Sequence, residues 1–192
     1  MKKPYWIFVA LLFLLSSVPS LAQDKKQLLE SSLPGILDFW VANAEKQVVA
    51  LADAMPEDKY SFAPAATSGE FKGVRTFAEQ VKHVAALNYW MSTLMLGGKP
   101  TVEMEKETGP ASLTTKAEIM EYLKGSFAAL HKGVATINEQ NVVQTMASPN
   151  KRISTPLAFV IDSVAHSYDH YGQLVEYLRM NGIIPPASRR TK

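Results

Sequence analysis

Four stretches of helical periodicity, separated by connections rich in Pro, Gly and Ser, constrain this chain more than any other feature of its sequence. No stretch of useful length alternates apolar and polar residues as a half-buried strand does, so the expected fold class is all-α. The first helix is expected from about Pro34 to Ala54, with Ile36, Leu37, Trp40, Val41, Ala44, Val48 and Leu51 at i, i+3, i+4 spacing, ended by Met55-Pro56. The second is expected over about Val74 to Leu96, where Gly97-Gly98 stops it. Its apolar face is Phe77, Gln80, Val84, Leu87, Met91 and Met95, and its polar stripe is Arg75, Glu79, Lys82 and Tyr89. From Lys99 to Leu113 the chain reads as a long surface loop, with Glu103, Glu105 and Glu107 solvated. Helix three starts near Thr114 or Thr115, where Glu118 completes a capping box, and runs through Ile119, Tyr122, Leu123, Phe127, Leu130 and Val134 to about Ile137. After Ser148-Pro149-Asn150 the fourth helix opens with Thr155 as cap and Pro156 at its first position, and closes at Asn181-Gly182. Its main apolar stripe is read as Leu157, Ile161, Val164, Tyr168, Tyr171, Val175 and Leu178. An antiparallel four-helix bundle is the economical way to bury all four stripes.

The chain opens on Met1-Lys2-Lys3, an apolar run from Tyr5 to Leu15, and Ser20-Leu21-Ala22, the pattern of a secretory signal peptide cut after Ala22. The run is shorter than the ~20 apolar residues of a membrane span, and no cysteine follows it to carry a lipid. Residues 1–22 are therefore expected to be the leader and 23–192 one soluble domain, exported to the periplasm or secreted, with no membrane association after cleavage. The leader holds two lysines and no acid, so its loss takes the formal charge from +2 to zero. With no basic patch interleaved with aromatics, nucleic-acid binding has no electrostatic support. The chain has no cysteine, which excludes disulfides and thiolate ligands and leaves His, Asp and Glu for any metal.

His166 and His170 lie four apart in His166-Ser167-Tyr168-Asp169-His170, so they stack on one face of the fourth helix and can share a cation. They fall in a row with Phe159, Ser163 and Tyr177, apart from the main apolar stripe, which directs them into a cleft between helices. His83, on the shoulder of helix two, supplies a third imidazole. Three neutral imidazoles leave a coordination position for water, as catalytic zinc sites do. The plainer alternative is that each is a partly buried histidine bonded to a neighbour. His131, alone on helix three, reads as a surface or boundary residue. Ser167 stands where a zincin motif needs Glu. Glu79 and Asp162 precede His83 and His166 by four rather than three, which removes the di-iron pattern. Glu79, Asp162 and Asp169 are read as solvated or ion-paired carboxylates, with orientation of the imidazoles as the alternative. Trp90, Tyr168, Tyr171, Tyr177, Met91 and Met95 read as packing residues. No Gly-x-Ser-x-Gly elbow, phosphate-binding Gly loop or haem-attachment motif is present.

Several of these segments together resemble the DinB/YfiT-like metalloenzymes: Val74-Arg75-Thr76-Phe77-Ala78-Glu79-Gln80-Val81-Lys82-His83, His166 to Leu174, the closing Leu178 to Pro186, and the turn Met55 to Tyr60. The resemblance covers nearly the whole chain after residue 22. It implies a four-helix bundle with a divalent metal, commonly zinc or nickel, on one histidine of helix two and two of helix four. Matched onto this sequence, those are His83, His166 and His170. Characterised relatives include transferases and isomerases that use a low-molecular-weight thiol, a cosubstrate scarce where an exported protein works. The expected function is a metal-dependent, hydrolase-like enzyme acting on a small molecule. Alternatives are a non-catalytic metal- or small-molecule-binding bundle and a thiol-dependent transferase, and homodimerisation is compatible with each.

Overall fold

In the computed structural model, which describes residues 31–65, 73–101, 108–146 and 155–189, four long helices pack side by side. We number them α1 (Leu33–Ala54), α2 (Phe77–Met95), α3 (Lys116–Val134) and α4 (Pro156–Met180). Short 3-10 turns follow α1 at Glu57–Lys59 and α4 at Pro186–Ser188, and no strand occurs among the described residues. The expected signal peptide and the acidic residues Glu103 to Glu107 lie outside the described residues. No described helix is long and apolar enough to cross a membrane.

Each helix begins where a side chain can satisfy its free amides. Ser32 accepts from the Gly35 amide at 3.1 Å and Thr155 from that of Ala158 at 3.2 Å, each just ahead of a proline in the first turn. Thr76 with Glu79 and Thr115 with Glu118 form complete capping boxes. The Thr76 box explains why α2 starts at Phe77 and not at Val74. Two bonds to the chain after α1 fix the same point, Phe77 N to Phe62 O (2.8 Å) and Ala78 N to Tyr60 O (2.9 Å). Gly97 and Gly182 adopt φ of 74° and 72° just past α2 and α4, a conformation in which any Cβ is strained.

The long connections set helix direction. Asn88 meets Ser126 and Gly133 lies against Met95, while Lys82 reaches the loop just ahead of α3, so α2 and α3 run parallel. Antiparallel contacts join α1 to α3, through Asp38 with His131 and Asp53 with Lys116. They also join α2 to α4, through Trp90 with Phe159 and Phe77 with Tyr177. The bundle therefore has two antiparallel and two parallel neighbouring pairs. α3 begins at Lys116, well after α2 ends at Met95, which leaves room for the long connection that a parallel pair needs.

Phe77, Phe127, Phe159, Leu51, Leu123, Leu130, Leu174 and Leu178 are fully buried in the centre, each stabilising the fold by about 1.5–3 kcal/mol. Three expectations about facing are corrected. On α1, Ile36 and Trp40 are about half exposed, at 47% and 51%, and the core row is Leu37, Val41, Ala44, Val48, Leu51 and Ala52. On α2, Lys82 is buried, because its ammonium reaches the carbonyls of Pro110 (3.0 Å) and Leu113 (3.3 Å). On α4, Ile161 faces solvent, and the interior follows Phe159, Ser163, Ser167, His170, Leu174 and Tyr177. The histidine row is thus the buried face of α4, beside rather than opposite the stripe that hydrophobicity picks out.

Candidate metal centre

Three imidazoles converge where α2 passes α4. His83 sits in the second turn of α2, and His166 and His170 are successive turns of α4 running in the opposite direction. The Nε2 atom of His166 lies 2.9 Å from that of His83 and 3.1 Å from that of His170. Ring centroids are 4.4 to 4.7 Å apart, and the rings are steeply inclined to one another, so their edges and not their faces meet. His170 is buried and the other two are half-buried.

The helices are pinned on one side of the cluster, toward the start of α2 and the end of α4. Gln80, three residues before His83, donates to Gln173, three residues after His170, at 2.8 Å. One turn beyond, the Tyr177 hydroxyl donates to the Arg75 carbonyl at 2.9 Å. These cross-helix bonds fix the spacing of α2 and α4 at the cluster, which three side chains meeting at one point require. Burial pulls the His166 pKa down to about 3, with the neighbouring His170, His83 and Arg75 adding to the effect. His170 is pulled down to about 4, again chiefly by burial and then by His83, against a smaller upward pull from Asp169. Both rings are therefore neutral at neutral pH, and neutral imidazole is the form that ligates metals.

Three Nε2 atoms facing one another cannot all be satisfied by one another, since an imidazole nitrogen is either a donor or an acceptor. A cation at their centre resolves the conflict. Tetrahedral zinc with Zn–N of about 2.0–2.1 Å places its nitrogen ligands roughly 3.3 Å apart, a few tenths of an ångström wider than the spacings here. His83, His166 and His170 are the group of His, Asp and Glu side chains with metal-site spacing among the described residues, their ligand atoms all within 4.8 Å of one another. The donor set fits a borderline divalent ion, and it carries no charge of its own.

No carboxylate is hydrogen-bonded to the imidazoles of His166 and His170. The Glu79 carboxylate takes the Thr76 amide and hydroxyl in the capping box, at 2.8 and 3.0 Å. Asp169 accepts from Gln173 at 3.2 Å, and Asp162 is a half-buried acid whose pKa is raised by desolvation. The residues that hydrophobicity did not single out are Ser163 and Ser167, both fully buried on the face of the histidines. Their position one turn ahead of each histidine was the available signal. Trp90 packs edge-on against Phe159, in agreement with a packing role. His131 lies on the other side of the bundle, between Asp38 and Glu45 of α1.

No curated protein shows significant similarity to the chain. A family model described as the DinB superfamily matches residues 42–174, from the first half of α1 to beyond the second histidine of α4. That segment carries all three histidines and the Gln80–Gln173 bond beside them, and the chain belongs to the DinB superfamily.

Proposed function

We propose that His83, His166 and His170 hold one divalent metal ion, zinc or nickel, and that the protein is an exported, hydrolase-like enzyme acting on a small molecule. The observation that supports this most directly is the convergence of three Nε2 atoms within 2.9 and 3.1 Å steps at a helix crossing. Held there, a divalent cation supplies Lewis acidity, which polarises a carbonyl or phosphoryl oxygen and lowers the pKa of water toward about 7. The chain's own part is to keep three lone pairs aimed at one point, to exclude bulk water by burying His170, and to hold α2 against α4 through Gln80 and Gln173. Export rests on the leader pattern of residues 1–22, with residues 23–192 as the working domain.

The protein with residues 1–22 removed should carry close to one equivalent of metal per chain by elemental analysis, and lose it when all three histidines are replaced by alanine. Undiminished metal in the triple variant would sink the proposal. Chelator-sensitive hydrolysis across a panel of ester, amide and phosphoester substrates tests the catalytic half. A second reading, a non-catalytic metal- or ligand-binding bundle, draws support from the engagement of two neighbouring carboxylates elsewhere, Glu79 in its capping box and Asp169 with Gln173. Metal binding without turnover would favour it, and turnover only with an added low-molecular-weight thiol would favour a transferase.

A further inference from the structure

Four buried polar atoms without a hydrogen-bond partner lie together on α4, and they fall into two pairs. The hydroxyls of Ser163 and Ser167 are unpartnered, and so are the Nδ1 atoms of His166 and His170. Both serines are fully buried. The sequence Ser163-Val164-Ala165-His166-Ser167-Tyr168-Asp169-His170 places one serine three residues before each histidine. Long side chains on a helix lean toward its N-terminus, over the i−3 and i−4 positions. Each imidazole is thus tilted toward the turn that holds its own serine, whose Cβ lies about 5–6 Å away. The hydroxyl and the ring nitrogen make no direct bond, and one water between them closes the remaining distance.

The other nitrogen of each ring is already committed. With Nε2 turned toward the two neighbouring imidazoles, the neutral ring that offers a lone pair to a metal carries its proton on Nδ1. That proton ordinarily goes to a carboxylate, a backbone carbonyl or a water, and the carboxylates of Glu79 and Asp169 are engaged elsewhere.

We propose that Ser163 and Ser167 are positioning residues that receive the Nδ1–H of His166 and His170 respectively, each through one ordered water, and so fix the tautomer that turns each Nε2 toward the metal. This inference rests on the metal centre proposed above.

The test uses zinc-loaded protein labelled with 15N at histidine, read by long-range 1H–15N spectra together with zinc affinity. Ser163→Ala should shift the Nδ1–H signal of His166 and leave that of His170, and Ser167→Ala should do the reverse. Each should weaken zinc binding about 10–100-fold, with Ser→Thr at either position, which keeps the hydroxyl, restoring the Nδ1–H signal. Loss of packing alone would not produce this one-to-one crossover. Wild-type affinity and unchanged Nδ1–H signals in both alanine variants would overturn the inference and leave the metal centre standing. A wild-type protein that binds no zinc would overturn the centre itself, and the serine roles with it.

Discussion

Two histidine environments in this molecule differ in what faces the ring. His131, near the end of α3, is bracketed by Asp38 at 2.5 Å on Nδ1 and Glu45 at 3.2 Å on Nε2, and those acids lie seven residues apart on α1. Every group it meets is an acceptor, so its two nitrogens are served without any ligand. His83, His166 and His170 meet one another instead, nitrogen to nitrogen, with no carboxylate in the group. The first arrangement gives both ring nitrogens a carboxylate partner across helices, whereas the second brings three ligand nitrogens to a spacing that could hold a divalent cation. The same side chain thus becomes a fastener or a ligand according to the charge on the helix opposite.

Metal binding should separate the two sites most sharply. Alanine at His83, His166 or His170 should weaken zinc binding by more than the roughly 100-fold that loss of an outer partner costs, while His131→Ala leaves the affinity within about twofold. Calorimetric titration measures both. A His131 variant as defective as the others would erase the distinction.

Metal-linked stability comes next. Zinc at about 100 times its dissociation constant should raise the unfolding free energy by about 2.7 kcal/mol, seen as a rise in the unfolding temperature that a chelator reverses. The increment should vanish in His166→Ala and persist in His131→Ala. An equal increment in both would place the ion elsewhere.

Acid provides a third separation, in the metal-free protein. The folded-state pKa values of His166 and His170, about 3 and about 4, lie below the ordinary 6.5. On acidification the unfolded chain therefore takes up these protons first. Their contribution is fully present above about pH 6.5 and is lost as pH falls toward 4 and then 3. Denaturant midpoints should fall across that window, and His166→Ala should flatten the slope. A slope unchanged in that variant would mean that burial of the ring carries no such cost.

The smallest effect belongs to the ion pair. The Asp38 side chain is half exposed, and solvent screening holds such pairs to about 0–1 kcal/mol. His131→Gln should lower stability by no more than that, and the loss should shrink in high salt. A loss of several kcal/mol would show that the bracket on α1 is a structural anchor.

The two sites were also unequally legible. The i, i+4 pair on α4 was visible because helical spacing alone stacks residues four apart, and His83 followed as the third imidazole. The partners of His131 lie 93 and 86 residues away in the chain, at Asp38 and Glu45, and no local spacing connects them. The caps at Thr115 with Glu118 and at Thr155 with Pro156 were legible because they act within one turn. The facing of α4 was legible only in part: the histidine row was directed into a cleft, but the stripe through Ile161 was taken as the main buried face. Its apolar stripe through Ile161 outweighs the row of Ser163, Ser167 and His170 on any hydrophobic scale, yet the polar row is buried. Lys82 was misplaced for a related reason, since the carbonyls that receive it belong to a loop about thirty residues on.

What the sequence determined by itself is what short-range physics controls: four helices, the capped beginnings of α3 and α4, the glycine ends of α2 and α4, an all-α fold, and a histidine pair on one face. The tertiary structure alone decided which apolar and polar residues of each helix are inside and that α2 and α3 run parallel. Hydrophobic patterning ranks faces by their transfer from water, but a polar face can lie inside when its groups find partners there. For Lys82 and for the Nε2 edge of His166 those partners come from other elements, and only the packed bundle brings them within reach.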